Sequence, residues 1–219
     1  MSRSQSVEDY LKAIYKLENE EEGGVSNSRL ASEMEVSNAS VTNMVKRLSD
    51  RGLVDYTSYY GSRLTAPGRK IALEIIRHHR LLELYLKEML GYSWDEVHEE
   101  AEKLEHHISE QFGDKIAEML NDPRFDPHGD PIPSKDGEMP VMKTYPLSEF
   151  ESGLHCMISR VKDQNPELLR YLEKLGLIPG VKLRIVDREP FDGPITLEIA
   201  DKKISIGYNV AESIFVIQE

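Results

Sequence analysis

Apolar positions near the start of the chain follow a helical period and then give way to a strand-like pattern. Over residues 7–17 they recur every three or four positions, which predicts an amphipathic first helix. Ser26 and Ser37 can each cap a further helix, and the second of these is expected to run to Arg51. Because only a tight turn separates the two, the pattern is typical of a helix-turn-helix.

The segment after Gly52 is rich in β-prone residues, which predicts a two-stranded wing that turns at Gly61-Ser62 and carries Arg63 near its tip. The second helix of a helix-turn-helix enters the major groove of DNA, and its start here offers small hydroxyl and amide side chains that can contact bases. The candidate base contacts are Ser37, Asn38, Ala39, Ser40, Thr42 and Asn43. Lys46, Arg47 and Arg63 are the candidate phosphate contacts. The alternative is that these serines and asparagines only cap a helix in an ordinary three-helix core.

The net charge of −12 is unevenly distributed along the chain. Residues 37–70 contain six basic and two acidic side chains, whereas residues 71–142 contain 7 basic and 17 acidic ones. The first stretch is therefore a cationic patch of the kind that DNA phosphate attracts. The acidity belongs to the middle of the chain and needs a separate explanation.

Two helices are predicted in this acidic middle segment. The first covers residues 67–90 and ends at Gly91, and a capping box at residues 93–96 starts the second at Trp94 and carries it past Ile108. His79 and Glu83 share one face of the first helix because they are four residues apart. One face of the second helix carries His98, Glu102, Glu105 and His106.

Six of the seven histidines lie between residues 78 and 128, within this acidic segment. Carboxylates gathered on one face repel each other unless a cation lies among them, and His/Glu sets on adjacent helices commonly build metal sites. Charged helix faces are more often simply solvated, so a single His-Glu pair would not support this interpretation. The one cysteine, Cys156, excludes a thiolate cluster. Oxygen and nitrogen ligands suit Mn²⁺ or Fe²⁺, although Zn²⁺, Co²⁺ and Cd²⁺ would also bind in vitro.

The last third of the chain is expected to form a separate β-rich domain. Five prolines between residues 127 and 146 predict a linker. Strand-like segments then flank one amphipathic helix, which predicts a small β-barrel. The strand-like segments cover residues 155–161, 180–188, 195–206 and 213–219, and the helix covers residues 165–177. Neither an apolar run of 18 residues nor a charged-then-apolar leader is found, so we expect a soluble cytoplasmic protein without a membrane segment.

Taken together, these segments resemble the iron- and manganese-dependent repressors of the diphtheria-toxin-repressor and manganese-transport-regulator family. The resemblance covers nearly the whole chain and rests on VEDYLKAIY, SNASVTNMVKRL, GRKIALEIIRHHRLLE, HEEAEKLEHHIS and FDPHGDPIP. It implies a primary metal site formed by Asp9, His79, Glu102, Glu105 and His106. Iron-sensing members tend to have Met and Cys where this chain has Asp9 and Glu102, so the oxygen ligands match the manganese branch. Some manganese members have a second glutamate where this chain has Lys12, which leaves open whether two ions can share this site.

The resemblance also implies a second site formed by Glu83, Asp126, His128 and Asp163, with His98 as a further candidate. Some relatives carry Cys at the position of Asp126, so the site in this chain is harder and less suited to zinc. The alternative for Asp126 and His128 is a turn bounded by prolines. The family implies that the C-terminal domain is SH3-like and contributes Asp163, and the alternative is that this domain only packs and stabilises.

The sequence therefore predicts a mainly α protein with a small β domain. The expected domains are a winged helix-turn-helix (1–72), a helical metal-binding and dimerisation domain with linker (73–142) and an SH3-like domain (143–219). The predicted function is a non-enzymatic, Mn²⁺-activated repressor of metal-uptake genes that binds palindromic operator DNA as a homodimer. An Fe²⁺-responsive repressor is the first alternative, and a winged-helix regulator without metal control is a weaker one. A di-metal bundle enzyme usually needs Glu-x-x-His, and no Glu in the chain has a His three positions later. A metal-storage protein would show no sequence-specific DNA binding.

Overall fold

The computed structural model describes residues 4–19, 23–57, 60–162, 165–200 and 202–218. Its internal contacts divide the chain into two units. The first unit contains Met1–His78, Glu105–Ile108 and Pro133–Glu138, and the second contains His79–Leu104, Ser109–Ile132 and Met139–Glu219. None of the helices within the described ranges combines the length and the apolar character that crossing a membrane requires.

The first unit has the predicted winged helix. Its elements are α1 (Gln5–Glu18), α2 (Asn27–Glu33), α3 (Asn38–Asp50), β1 (Val54–Thr57), β2 (Gly61–Leu64) and the part of α4 (Ala66–Leu90) up to His78. Ser26 accepts a hydrogen bond from the backbone N–H of Arg29, and Ser37 accepts one from that of Ser40, so both predicted caps are confirmed. The apolar stripes of α1 and α3 bury Leu11, Ile14, Val45 and others in one core. Each such fully buried aliphatic side chain contributes about 1.5–3 kcal/mol to folding.

The predicted position of the wing turn is wrong. Gly61 and Ser62 lie within β2, which pairs antiparallel with β1, and Arg63 is paired with Asp55 rather than placed near the tip. Gly61 has a φ of 85°, and a Cβ added there would lie 2.5 Å from the backbone oxygen of Val25. This glycine is therefore required by the close approach of a neighbouring backbone segment and not by the turn.

The second unit contains the remaining helices and the larger sheet. Its elements are the rest of α4, α5 (Val97–Leu104), α6 (Glu110–Met119), β3 (Tyr145–Pro146), a 3₁₀ turn (Leu147–Glu149), β4 (His155–Val161), α7 (Pro166–Leu175), β5 (Lys182–Arg188), β6 (Ile195–Ile199), β7 (Lys202–Ile206), α8 (Tyr208–Glu212) and β8 (Ile214–Gln218). The six strands pair antiparallel in the order β3-β8-β4-β5-β6-β7. Asn165 caps α7, and Gly176 ends it in the left-handed region. The sheet and α7 confirm the predicted β domain, but α8 is a second inserted helix that the sequence pattern did not indicate.

The second predicted helix of the middle segment is shorter than expected. It begins at Val97 rather than Trp94, and it ends at Leu104 rather than beyond Ile108. Glu105 and His106 lie in the turn that follows, where their side chains contact residues of α1. Ser109 then caps the separate helix α6 by accepting from the backbone N–H of Phe112. Side-chain contacts made in the folded first unit have therefore overridden a helical period that was continuous in the sequence.

Candidate metal centres and nucleic-acid interface

Five charged or titratable side chains of the first unit meet between α1 and the turn at residues 105–108. They are Glu8, Asp9, Lys12, Glu105 and His106, and we call them the first cluster. Glu8 and Lys12 are one helical turn apart on α1 and so point to the same side of it. Glu105 and Glu8 are buried in spite of their charge, which carboxylates tolerate only when they are paired.

The imidazole of His106 lies at the centre of this cluster, with only 3% of its side chain exposed. Its Nδ1 donates a hydrogen bond of 2.8 Å to Oε2 of Glu8. Its Nε2 lies 2.7 Å from Oδ1 of Asp9 and 3.2 Å from Oε1 of Glu105, yet it forms no hydrogen bond with acceptable geometry to any described residue. A carboxylate on Nδ1 is the arrangement that directs Nε2 of a histidine toward a metal ion.

The donor atoms of Asp9, Glu105 and His106 fit a divalent cation. One ligand atom from each lies within 4.8 Å of the other two. Two carboxylate oxygens and one imidazole nitrogen are ligands that Mn²⁺ and Fe²⁺ accept. The short contacts at Nε2 without a hydrogen bond support the same interpretation, because an ion among these atoms would satisfy all of them together.

The electrostatics of the first cluster favour a positive charge. Burial favours the neutral imidazole, but the carboxylates of Asp9, Glu105 and Glu8 outweigh it and raise the pKa of His106 to about 10. In the absence of a metal ion, His106 is therefore protonated at neutral pH. A metal ion can use this nitrogen only after the proton has left.

A second group of titratable side chains lies within the second unit. It consists of His79, Glu83, His98, Glu102, Asp126 and His128, and we call it the second cluster. His79 and Glu83 lie on α4, and His98 and Glu102 lie on α5. Each pair is spaced i, i+4, so each occupies one helical face as the sequence predicted.

Three donor atoms of the second cluster form a nearly equilateral triangle. Nε2 of His79 lies 2.9 Å from Oε1 of Glu83, and Nδ1 of His98 lies 3.0 Å from each of these two atoms. Glu102 is farther away, with Oε1 3.8 Å from a ring nitrogen of each histidine. The triangle thus contains two imidazole nitrogens and one carboxylate oxygen. Their three lone pairs can be directed to one point, and this arrangement fits a metal ion.

Several buried polar atoms around this triangle have no hydrogen-bond partner among the described residues. They are Oε2 of Glu83, both ring nitrogens of His128 and Oδ2 of Asp126, the last of which has only an ion-pair contact of 3.7 Å with Nε of Arg80. Each such atom costs about 1–3 kcal/mol when it is left unsatisfied in the folded protein. His128 lies with Nε2 4.0 Å from Oε1 of Glu83. These atoms are therefore candidate ligands in the second cluster.

Burial and neighbouring charges move the pKa values of the second cluster in different directions. Burial opposes ionisation of Glu83, but the imidazoles of His79, His98 and His128 outweigh it and hold its pKa well below the usual range. Burial lowers the pKa of His128. Burial and the charges of Glu83 and Asp130 raise the pKa of Asp126 well above the usual range. A neutral His128 beside an ionised Glu83 is already in the form that ligates a metal.

The loop that carries Asp126 and His128 is fixed by β4 of the same unit. Oδ1 of Asp126 accepts a hydrogen bond of 2.8 Å from the backbone N–H of His128, and the backbone N–H of Val161 donates to the His128 carbonyl at 2.9 Å. Gly129, with a φ of 87°, lies so close to β4 that an added Cβ would be 2.0 Å from the backbone oxygen of Ser159. The predicted turn at DPHGDP is thus present, and it also carries buried donor atoms that the turn does not use.

The structure brings some of the predicted ligands together and places others differently. Asp9, Glu105 and His106 meet, whereas Nε2 of His79, predicted for the same primary site, contacts Glu83 and His98. Glu102 lies near His79 and His98 at a longer distance. Asp163 lies outside the described residues. The full primary set and the full second set stay predictions.

Sequence reasoning missed Glu8 as a functional residue. Its position in the sequence could have identified it. Glu8 precedes Asp9 and lies four residues before Lys12, so Glu8 and Lys12 lie on one face of α1, next to Asp9. Its burial is caused by its contact with His106, which is 98 residues away and cannot be read from a local pattern.

The candidate DNA-contacting surface is the exposed side of α3 and its cap. Ser37, Asn38, Ala39, Ser40, Asn43, Lys46, Arg47 and Arg63 are all exposed. Thr42 is half-buried, and its hydroxyl donates to the carbonyl of Asn38 and accepts from the side chain of Asn27. The Thr42 hydroxyl is therefore already engaged within the protein and its methyl group is the better candidate for a base contact, while the exposed residues offer polar and cationic groups.

The winged helix and the two clusters define a DNA-binding protein with candidate metal sites, and comparison with known families agrees with both features. The N-terminal DNA-binding domain of iron dependent repressors matches residues 3–62. The metal-binding and dimerisation domain of the same repressors matches residues 65–134, and the FeoA domain matches residues 145–218. The diphtheria toxin repressor of Corynebacterium diphtheriae is 35% identical over 221 residues, which cover 95% of each chain. The chain belongs to the diphtheria toxin repressor and MntR family of metal-dependent DNA-binding repressors.

Solved structures of manganese regulators share the fold. A manganese-dependent transcriptional repressor in complex with manganese is 36% identical, with a TM-score of 0.88 over 97% of this chain and 100% of that one. ScaR with bound Zn²⁺ is also 36% identical, with a TM-score of 0.78 over 97% of this chain and 99% of that one. The predicted family and fold class are thus confirmed. The family consists of transcriptional repressors rather than enzymes, and it carries a dimerisation domain.

Proposed function

We propose that this protein is a Mn²⁺-responsive homodimeric repressor that switches off metal-uptake genes by binding a palindromic operator. The observation that carries the proposal is the convergence of Asp9, Glu105 and His106 without any thiolate. Cys156 is buried in the core of the β-rich domain, among its apolar side chains. The manganese-dependent repressors among the similar structures support the choice of Mn²⁺. Fe²⁺ is the second candidate, because iron dependent repressors define the matching DNA-binding and metal-binding domains.

The proposed ligands follow the two clusters. Asp9, Glu105 and His106 form the centre of the primary site, with His79 and Glu102 as predicted additions. Glu83, His98, Asp126 and His128 form the second site, with Asp163 as a predicted addition. A divalent cation bound at either place supplies positive charge that offsets the mutual repulsion of the carboxylates. Zn²⁺, Co²⁺ and Cd²⁺ are expected to bind in vitro as well, since these ligands do not exclude them.

Within the first unit, α1 connects the first cluster to the wing. Asp9 lies near the start of α1, and Glu18 lies at its end, where its Oε1 accepts a hydrogen bond of 2.6 Å from the backbone N–H of Leu64 in β2. Oε2 of Glu18 pairs with Arg69 at 2.7 Å. A change in how Asp9 is held at His106 is therefore transmitted along a single helix to the wing.

The proposed control is a shift between two populations of the repressor. A bound ion draws Asp9, Glu105 and His106 together. This favours the population in which α1 and the DNA-binding elements packed on it hold one fixed position. Both recognition helices of a symmetric dimer must reach major grooves at a fixed separation, so one position favours a palindromic operator. Ser37 to Ser40 and Asn43 are proposed to contact bases, and Lys46, Arg47 and Arg63 are proposed to contact phosphates. The proposed domains are 1–72, 73–142 and 143–219.

The deciding experiment measures DNA selection by the full-length protein after removal of metal with a chelator. The protein is mixed with a pool of random duplexes in the presence of Mn²⁺, Fe²⁺ under anaerobic conditions, Zn²⁺ or no metal. We expect a palindrome to be enriched with Mn²⁺ and not without metal. Equal enrichment without metal would show a winged-helix regulator that metal does not control, and enrichment with Fe²⁺ alone would show an iron-responsive repressor.

A matched pair of variants tests the first cluster directly. His106→Ala removes the central nitrogen, whereas His107→Ala changes the exposed neighbouring histidine. We expect His106→Ala to lose at least about 100-fold in Mn²⁺-dependent operator affinity, because a direct ligand matters more than the roughly 10–100-fold typical of its supporting residues. His107→Ala should bind as the unaltered protein does. Full Mn²⁺ response in His106→Ala at limiting metal would contradict the assignment.

A further inference from the structure

Lys12 contacts the carboxylate of Glu105, which we propose as a metal ligand. Its Nζ is 2.7 Å from Oε1 and 3.0 Å from Oε2 of Glu105, so the ammonium contacts both oxygens. The Glu105 side chain is fully buried, and only 23% of the Lys12 side chain is exposed. The Coulomb attraction within an ion pair removed from water is stronger than on the surface, and the loss of one partner would leave the other as an unpaired buried charge. Lys12 is thus part of the first cluster rather than a solvated helix residue.

The formal charges of the first cluster match one divalent cation. Glu8, Asp9 and Glu105 supply three negative charges and Lys12 one positive charge, which leaves −2 when His106 is neutral. One dication offsets this charge, whereas two would leave a surplus of +2, or of +1 with the predicted addition Glu102, within a few ångströms of the ammonium. Surplus charge of one sign in a buried site is strongly unfavourable.

The position of Lys12 also restricts how Glu105 can coordinate. A carboxylate that bridges two metal ions gives one oxygen to each, but here both oxygens of Glu105 face the same ammonium. The place that a second ion would occupy beside Glu105 is therefore taken by a cation that belongs to the chain itself.

We propose that Lys12 is a resident cation that limits the first cluster to a single divalent ion. The inference rests on the proposed function, because it requires Asp9, Glu105 and His106 to be ligands. Removal of the ammonium should strengthen binding of the one ion, and replacement by a carboxylate should create a place for a second.

The test counts ions bound to full-length protein, using Mn²⁺ alone as the probe. The second cluster is first weakened by His98→Ala, and Lys12→Gln, Lys12→Glu and Lys16→Gln are compared in that background. Lys16→Gln is the matched control, because Lys16 lies one turn farther along α1 and pairs with Glu33 at 2.7 Å, with 61% of its side chain exposed. Native mass spectrometry gives the ion count, and loss of the free Mn²⁺ resonance signal gives the affinity.

Lys12→Glu is expected to bind one Mn²⁺ more per chain than its parent does. Lys12→Gln is expected to bind the same number with an affinity at least tenfold higher, and Lys16→Gln should match the parent in both measurements. Lys12→Glu with the parental ion count, or Lys12→Gln with unchanged affinity, would overturn the proposal. If His106→Ala in the same background binds Mn²⁺ as its parent does, the metal site itself is wrong, which separates failure of the proposed function from failure of the role of Lys12.

Discussion

In the first cluster, three carboxylates surround one imidazole, and the charge is balanced by a proton on His106 and by the ammonium of Lys12. In the second cluster, imidazoles surround the buried carboxylate of Glu83, and several buried atoms, one of them in Asp126, have no hydrogen-bond partner among the residues described. The first cluster thus balances its charge without an ion, although Nε2 of His106 lacks a well-formed hydrogen bond, and it must release a proton to bind a metal ion. In the second cluster, Glu83 and His128 are already in the protonation states that ligate a metal, and an ion there would coordinate buried atoms that lack a hydrogen-bond partner.

Similar ligand types can thus make two sites with different requirements. A site that balances its own charge binds metal in competition with protons, so its occupancy follows pH as well as metal concentration. A site with unsatisfied buried donors depends chiefly on how well its atoms are positioned. The second cluster obtains that positioning from the backbone contacts of Gly129 and His128 with β4.

The largest expected effect comes from removal of the central carboxylate of the second cluster. Glu83→Ala should weaken Mn²⁺ binding there by more than about 100-fold, since it takes away a direct ligand and leaves buried imidazoles facing each other. Calorimetric titration should show one ion fewer per chain while the first cluster still fills. Glu88→Ala, an exposed position on the same helix, is the control and should change neither site. Loss of both ions in Glu83→Ala would show that the clusters are not independent.

Local patterns were sufficient to predict most of the fold. Ser26 and Ser37 cap their helices through hydrogen bonds to residues three positions later, so the information lies within one turn. The role of Gly61 was misinterpreted, because the contact that requires a glycine comes from Val25, which precedes the whole recognition helix.

The candidate sites were predicted less completely than the fold for the same physical reason. The i, i+4 spacing placed His98 and Glu102 on one face, and the contact between them agrees with this. The same spacing extended to Glu105 and His106 failed, because α5 ends at Leu104 and the turn brings both residues to α1. The burial of Glu8 and the position of Lys12 both depend on that turn. Contacts between residues about 90 positions apart have no periodic signature in a single sequence.

A pH titration sharpens the contrast between the clusters. In the metal-free protein, the imidazole resonance of His106 should titrate with a pKa of about 10, while burial should hold that of His128 below 6.5. Because His106 must lose its proton to ligate, the apparent Mn²⁺ affinity of the first cluster should fall about tenfold for each pH unit below its pKa. The raised pKa of His106 also stabilises the metal-free fold. This contribution is complete below pH 6.5 and is lost as the pH rises through about 10.

Glu8→Gln is the variant that tests the cause of this shift. It removes one of the carboxylates that raise the pKa of His106, while the amide oxygen can still accept from Nδ1. The titration of His106 should move toward lower pH, and that of His128 should not move. A value of 6.5 for His106 in the unaltered metal-free protein would contradict the electrostatic account of the first cluster.

The smallest expected effect is a change in the fluorescence of Trp94. This signal reports metal binding without altering the affinity. Trp94 is the one tryptophan of the chain, and its ring is stacked on His128 with 5.6 Å between the ring centroids. Mn²⁺ in the second cluster should quench its fluorescence, because a paramagnetic ion would lie next to a residue in ring contact with the indole. Glu83→Ala should abolish this quenching, whereas His106→Ala should retain it. The reverse pattern would assign the optical signal to the first cluster, and equal quenching by diamagnetic Zn²⁺ would indicate a rearrangement around Trp94 instead of proximity to the ion.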